Sequence, residues 1–180
     1  ISSLFAMGAG FALILAKMAG RVFILERPPV GTLYESILFV LLIILGYGFL
    51  KCLRRGAPVM LAGGVLVLSL ILTILARVHD SDADNMMMLG AVLNSHFWLI
   101  VHVLVITAGY AVCLLCSLVA YLVLLRPTTP AEKLQSHPFY PVMIRSALAA
   151  LALTATGTVL GGIWADQSWG RFWGWDPKEN

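Results

Sequence analysis

The sequence predicts an all-α integral membrane protein with about five transmembrane helices. Of its 180 residues, 60% are hydrophobic and 12% are charged, whereas soluble domains average about 45–50% and about 25%. One water-soluble core of this size cannot bury that excess. The apolar residues also fall into runs close to the roughly 20 residues that cross the hydrocarbon of a bilayer. Lipid is therefore the expected solvent for most of the chain.

The apolar runs place the five spans at residues 1–19, 33–50, 59–76, 97–125 and 143–164. The first run opens with Ile1 and not with methionine, so we expect the natural N-terminus to lie further upstream. The second run begins at Thr32 and Glu35, which have the three-residue spacing of a capping box. The polar segments 51–58, 77–96 and 126–141 delimit the remaining spans.

A polar and aromatic tail, residues 165–180, follows the fifth span. Its last residues repeat a helix-start pattern, because Asp176 can cap a helix whose first position is Pro177 and whose third is Glu179. We therefore expect a further helix to begin where this sequence ends. Residues 1–164 are thus predicted to form the transmembrane bundle, and residues 165–180 to lead out of it.

Basic residues are divided equally between the two predicted sides of the membrane, with six on each. On one side the six lie in only two segments, 51–58 and 126–141 with the adjoining helix ends, whereas on the other side they are spread over three regions. The higher number of cations per segment favours the first side as cytoplasmic. The tail is then extracytoplasmic. The formal charge of +3 is spread over separate loops and forms no basic face, which argues against a nucleic-acid partner.

Four of the five tryptophans lie within twelve residues at the end of the fifth span, at Trp164, Trp169, Trp173 and Trp175. An aromatic belt at the membrane interface would account for two or three of them. The order Trp-Gly-Arg-Phe-Trp-Gly-Trp-Asp-Pro at residues 169–177 is more specific. It resembles the tryptophan-rich signature of the cytochrome c assembly family, which includes CcsA/ResC, CcmC and CcmF.

That resemblance implies an extracytoplasmic platform that binds haem b. The chain has no Cys-x-x-Cys-His sequence of its own, so the haem would be held non-covalently. Stacked indoles suit a flat apolar macrocycle, and indole N–H groups with an arginine suit its propionates. The resemblance assigns haem binding to Trp164, Trp169, Gly170, Arg171, Phe172, Trp173, Trp175, Asp176 and Pro177.

A histidine in the fourth span is the candidate iron ligand. His102 lies inside an apolar run, where an ionisable side chain needs a partner, although a satisfied packing histidine is the simpler interpretation. Residues 95–103 are similar to the family's Ser-x-x-Trp-Leu-x-x-His-Val stretch, which implies that His102 is one axial ligand of the haem iron. His96 leaves open which of the two histidines ligates. In the family the companion ligand follows the tryptophan motif, which places it beyond Asn180.

Residues 27–36, Arg-Pro-Pro-Val-Gly-Thr-Leu-Tyr-Glu-Ser, resemble the start of an early helix in the CcsA/ResC branch, with Thr32 in place of asparagine. This favours CcsA/ResC, or the corresponding part of a fused CcsBA synthase, over CcmC and CcmF. Glu35 has two interpretations here. It either completes the capping box, which we favour, or acts on protons or haem.

Other candidate residues have plainer interpretations. His79 and His137 are predicted to be solvated loop residues. Cys113 and Cys116 have the spacing of a redox pair, but they lie mid-span, where a thiolate is costly, and we interpret them as packing residues. A Gly-x-x-x-Gly sequence at residues 157–161 predicts a close helix contact.

The resemblance implies a component of a cytochrome c synthase, of the haem-lyase type. It would present haem b for thioether attachment to the Cys-x-x-Cys-His motif of apocytochrome c, with a ResB/CcsB-type partner as a subunit or fused domain. The bacterial inner membrane or a thylakoid membrane is the implied location. Two alternatives remain: a related CcmC-like or CcmF-like haem-handling subunit, and a non-enzymatic membrane subunit or transporter whose tryptophans anchor an interface.

Overall fold

The computed structural model describes residues 2–26, 28–55, 58–80, 97–125, 135 and 137–175, and of Trp169 it describes only the backbone. Within these residues the regular structure is entirely helical. The helices are α1 Ser2–Leu25, α2 Leu33–Arg55, α3 Val59–Asp80, α4 Phe97–Leu124 and α5 Tyr140–Trp169. All five are long and apolar enough to cross a membrane. The prediction of an all-α integral membrane protein with about five spans is confirmed.

Most of the helices are longer than the predicted spans. α1, α2 and α3 end four to six residues later than 19, 50 and 76, and α5 runs from 140 to 169 instead of from 143 to 164. Hydropathy marks the part of a helix that lies in hydrocarbon, but backbone hydrogen bonding continues into the interface until a stop signal ends it. Trp164 and Trp169 therefore belong to α5. The helix predicted to start at Asp176 lies outside the described residues.

Helix α2 occupies the middle of the bundle and packs against α1, α3 and α4, while the most extensive contact joins α4 to α5. The fully buried side chains Leu41 and Ile44 of α2 belong to one apolar cluster with Met7, Val65 and Val119 of the three neighbouring helices. α5 lies at the edge of the bundle and is held mainly by α4. The position of α5 in the bundle therefore depends mainly on its packing against α4.

The predicted capping box at the start of α2 is confirmed. Thr32 Oγ1 accepts a hydrogen bond from the Glu35 N–H (3.2 Å), and Glu35 Oε2 accepts from the N–H groups of Thr32 (3.1 Å) and Gly31 (2.8 Å). The second oxygen, Oε1, accepts from Arg21 Nε and Nη2 at 3.1 and 3.0 Å. Glu35 is only 2% exposed. Its carboxylate thus ties the end of α1 to the start of α2.

Three predictions about single side chains were wrong. His79 is not a loop residue, because it lies in the last turn of α3. His137 is not solvated: it is 5% exposed, and its Nδ1 accepts a hydrogen bond from the Phe139 N–H at 3.2 Å, because the turn before α5 folds back on itself. Cys113 does not pack, since it is exposed, whereas the Cys116 thiol lies 3.7 Å from the Met143 carbonyl. Positions three apart on a helix differ by about 60° in direction, so only one cysteine faces α5.

Candidate functional site

Helices α4 and α5 enclose a cavity of about 460 Å³ at the end of the bundle where α4 begins and α5 ends. Pockets for cofactors and small molecules typically measure about 300–1,000 Å³. Helix α4 lines it with His102, Ile106 and Tyr110. The lining from α5 and the segment after it consists of Thr158, Gly161, Gly162, Trp164, Ala165, Phe172 and Trp173.

The imidazole of His102 is oriented by the backbone of α5. Its Nδ1 lies 2.6 Å from the Gly157 carbonyl oxygen. Because a carbonyl oxygen can only accept, Nδ1 must carry the hydrogen, and the lone pair of a neutral ring is then on Nε2. Nε2 makes no hydrogen bond to any residue that the structure describes. A backbone carbonyl on one ring nitrogen is the usual outer support of a metal-ligating histidine.

Two glycines of α5 let α4 approach closely enough for this hydrogen bond. A Cβ atom at position 161 would lie 2.7 Å from His102 Cε1 and 2.8 Å from Nδ1, and one at position 157 would lie 2.9 Å from the Ile106 Cα. All three distances are too short for real Cβ contacts. The predicted close contact at residues 157–161 is confirmed, and the same glycines fix where the imidazole sits.

The chain reverses direction directly after α5. Gly170 has φ 71°, a left-handed conformation that glycine adopts without a Cβ penalty, and its N–H donates to the Asp166 carbonyl at 2.8 Å. The next residues fold back over the helix end, so that the Phe172 ring occupies the space beside Gly162 where a side chain would otherwise be. Trp173 follows and lines the cavity while remaining 38% exposed.

The predicted haem-binding residues divide into three groups. His102, Trp164, Phe172 and Trp173 line the cavity together. Three others do not line it: Gly170 forms the turn, Arg171 is exposed, and Trp175 is 76% exposed. The side chain of Trp169, together with His96, Asp176 and Pro177, lies outside the described part of the chain.

Trp175 is nevertheless in contact with the cavity wall. Its ring packs edge-to-face on Trp173, with centroids 6.2 Å apart and an interplanar angle of 81°. Such pairs are worth about 0.5–1.5 kcal/mol beyond the area that they bury. Trp175 therefore helps to orient Trp173.

Five residues of the cavity wall were not predicted from the sequence, although helical spacing could have identified them. Ile106 and Tyr110 are four and eight residues after His102, so they share its face of α4. On α5, Thr158, Gly162 and Ala165 recur at spacings of four and three. The glycine pair was interpreted as a contact face alone.

Comparison with known proteins gives consistent matches. The family model described as Cytochrome C assembly protein matches residues 30–180. The chain is 34% identical over 178 residues to Protein NrfI of Wolinella succinogenes, which covers 94% of this chain and 19% of NrfI. It is 27% identical over 195 aligned positions to Cytochrome c biogenesis protein CcsA of Prochlorococcus marinus (strain MIT 9301), covering 93% of this chain and 63% of that protein.

A third relative, Cytochrome c biogenesis protein CcsA of Guillardia theta, is 27% identical over 180 aligned positions, covering 84% of this chain and 58% of that protein. The chain therefore spans less than two thirds of the length of each of these relatives.

Proposed function

The chain belongs to the cytochrome c assembly protein family, in its CcsA-like branch. We propose that it binds haem b in the cavity between His102 and Trp173 and presents this haem for attachment to apocytochrome c. The family supports a role in cytochrome c biogenesis. One observation carries the finer proposal: an imidazole whose Nε2 is available lines the same cavity as the aromatic segment that follows α5.

The residues of the cavity suit a haem substrate. His102 Nε2 would bind the iron, and Trp164, Phe172 and Trp173 would contact the apolar macrocycle. Arg171 is exposed beside them and could pair with a propionate. The described residues contain no group of three or more His, Cys, Asp or Glu side chains that could chelate a bare metal ion. A haem iron is already held by its porphyrin and takes only axial ligands from a protein.

The proposed reaction is the addition of two thiols of a Cys-x-x-Cys-His motif to the two haem vinyl groups. Each addition forms one C–S bond and moves the thiol hydrogen to the other vinyl carbon, so it needs no external oxidant or reductant. The protein would contribute placement of the haem and exclusion of competing oxidation. We propose that this takes place on the extracytoplasmic side of a bacterial inner or thylakoid membrane, with a ResB/CcsB-type partner.

The test is haem content of the complete detergent-purified complex, measured from its absorption spectrum, with Trp173→Ala. Removing this indole is expected to lower haem affinity about tenfold, because an aromatic contact is worth roughly 0.5–1.5 kcal/mol beyond its buried area. Trp98→Ala removes an indole at the same end of the bundle that does not line the cavity, and it should retain haem. Complexes that never contain haem, even with the partner present, would favour the transporter alternative.

A second prediction concerns the glycine under the imidazole. Gly161→Ala places a methyl group within 2.8 Å of two ring atoms of His102, so the ring must move and its bond to Gly157 must lengthen. We expect haem attachment to a client cytochrome to slow by about ten- to a hundredfold, as expected for a misplacement near 1 Å.

The matched control for Gly161→Ala is Gly63→Ala on α3. Within the described residues, no atom outside the adjacent backbone of α3 lies within 4 Å of the Cβ that this change adds, and alanine is the better helix former by about 1 kcal/mol. Attachment should stay at the wild-type rate in this variant. If Gly161→Ala also leaves the rate and the Soret band unchanged, the position that we assign to His102 is wrong.

A further inference from the structure

A second crevice lies at the opposite end of the bundle from the cavity, where α2 ends and α5 begins. Its volume is about 300 Å³, and residues of α2, α4 and α5 line it. α2 and α5 each pack against α4, but they make few or no contacts with each other. The space between them therefore stays open along the side of α4.

The walls of this crevice are apolar and its mouth is basic. Leu115 and Val119 of α4 form the floor, and Lys51 of α2 and Arg145 of α5 stand on either side. Lys51 lies one turn from the C-terminal end of α2 and Arg145 lies in the second turn of α5. Both cations are thus at the depth where the hydrocarbon meets the headgroups, as expected for basic side chains near the ends of transmembrane helices.

Among the described residues, no carboxylate pairs with either of these two cations. Neither Lys51 nor Arg145 forms an ion pair among the residues that the structure describes. The ammonium of Lys51 instead lies over the Tyr47 ring, 5.5 Å from its centroid. In the sequence, this side of the bundle carries one acidic residue, Glu132, against six cations: Lys51, Arg54, Arg55, Arg126, Lys133 and Arg145.

The tyrosine at the inner end of the crevice supplies an unused donor. The Tyr47 hydroxyl is buried and has no hydrogen-bond partner in the described part of the chain. An unsatisfied buried hydroxyl is costly, and a phosphate or ester oxygen in the crevice would accept its hydrogen.

We propose that this crevice binds an anionic phospholipid. Its phosphate lies between Lys51 and Arg145, and one acyl chain runs along Leu115 and Val119. Basic pockets between transmembrane helices recognise anionic headgroups, because the cations attract the phosphate while the helices cover the apolar tail. The site is separate from the haem cavity, and it bridges α2 and α5, which otherwise depend on α4 to hold them together.

The experiment is native mass spectrometry of the complete complex titrated with phosphatidylglycerol, and separately with phosphatidylcholine of the same chains. The wild type should bind phosphatidylglycerol at least about tenfold more tightly, with an affinity that falls as salt rises. Inorganic phosphate at millimolar concentration should not displace the lipid, because it lacks the acyl chain. Equal affinity for the two lipids at low salt would overturn the proposal without any variant.

The variant is Lys51→Gln with Arg145→Gln. It should weaken phosphatidylglycerol binding by about thirtyfold, from roughly 1 kcal/mol for each cation, and phosphatidylcholine binding by much less, because the choline cation already compensates that lipid's phosphate. Arg54→Gln removes an exposed cation from the same end of α2, and it should weaken binding by less than about threefold. Wild-type haem content in all variants would show that they are folded. Phosphatidylglycerol binding that survives the double change, or that Arg54→Gln weakens equally, contradicts the proposal.

Discussion

Replacing His102 with glycine should lower the haem affinity of the complete complex by at least about a hundredfold, since even an outer-shell partner of a metal-ligating histidine is worth about 10–100-fold. The change removes the imidazole whose Nε2 faces away from the Gly157 carbonyl. Added imidazole should enter the space that the side chain leaves and restore both haem content and the Soret band. The absorption spectrum of the purified complex, with and without imidazole, measures both effects.

Two other histidines serve as controls for this experiment. His79 lies in the last turn of α3 and does not line the cavity, so His79→Gly should keep its haem. His96 is the competing candidate from the sequence, and His96→Gly decides between the two. Should His96→Gly lose haem while His102→Gly keeps a normal spectrum, the ligand is His96 and our assignment is wrong.

Replacing Glu35 with alanine should destabilise the fold by about 3–5 kcal/mol, because removal of one partner leaves the other charge of a buried ion pair uncompensated. The Arg21–Glu35 pair is 3.0 Å long with side chains only 13% and 3% exposed. The same change leaves the N–H groups of Gly31 and Thr32 without their acceptor. Resistance of the complex to unfolding by heat or by SDS measures the loss.

The control is Glu26→Ala, which removes an exposed carboxylate near the end of α1 and should cost little. Adding Arg21→Leu to Glu35→Ala should recover part of the loss, because the buried cation that the Glu35 carboxylate compensated is then gone. One other result would support the alternative interpretation of Glu35 as a residue that acts on protons or haem. If Glu35→Ala unfolds like the wild type but no longer supports haem attachment, the carboxylate acts on protons or haem and not on stability.

The features that sequence reasoning predicted correctly depend on residues close together in the chain. A run of about 20 apolar residues has no stable alternative to a membrane helix, because its backbone must satisfy its own hydrogen bonds in lipid. Thr32 and Glu35 are three residues apart, so their capping box forms within one turn. Glycines four apart share one helix face, and residues 157–161 therefore predicted a close contact without naming its partner.

The errors concern where helices end and which way side chains face. α5 continues to Trp169, five residues past the end of its apolar run, because the left-handed turn at Gly170 and not loss of hydropathy ends the helix. His137 is buried by a turn, and a turn has no hydrophobic periodicity from which this burial could be predicted. The sequence also offered no reason to distinguish among the clustered tryptophans, although Trp173 lines the cavity and Trp175 packs against Trp173.

By itself, then, the amino-acid sequence determined the fold class, the number of spans and the family signature, since each of these follows from composition and from short, fixed spacings. Only the tertiary structure decided which of those residues meet. The α4–α5 contact sets His102 against the Gly157 carbonyl, and the turn at Gly170 brings Trp173 to the same cavity. The first depends on the packing distance between two helices whose contacting residues are 55 positions apart, and no local pattern encodes that distance.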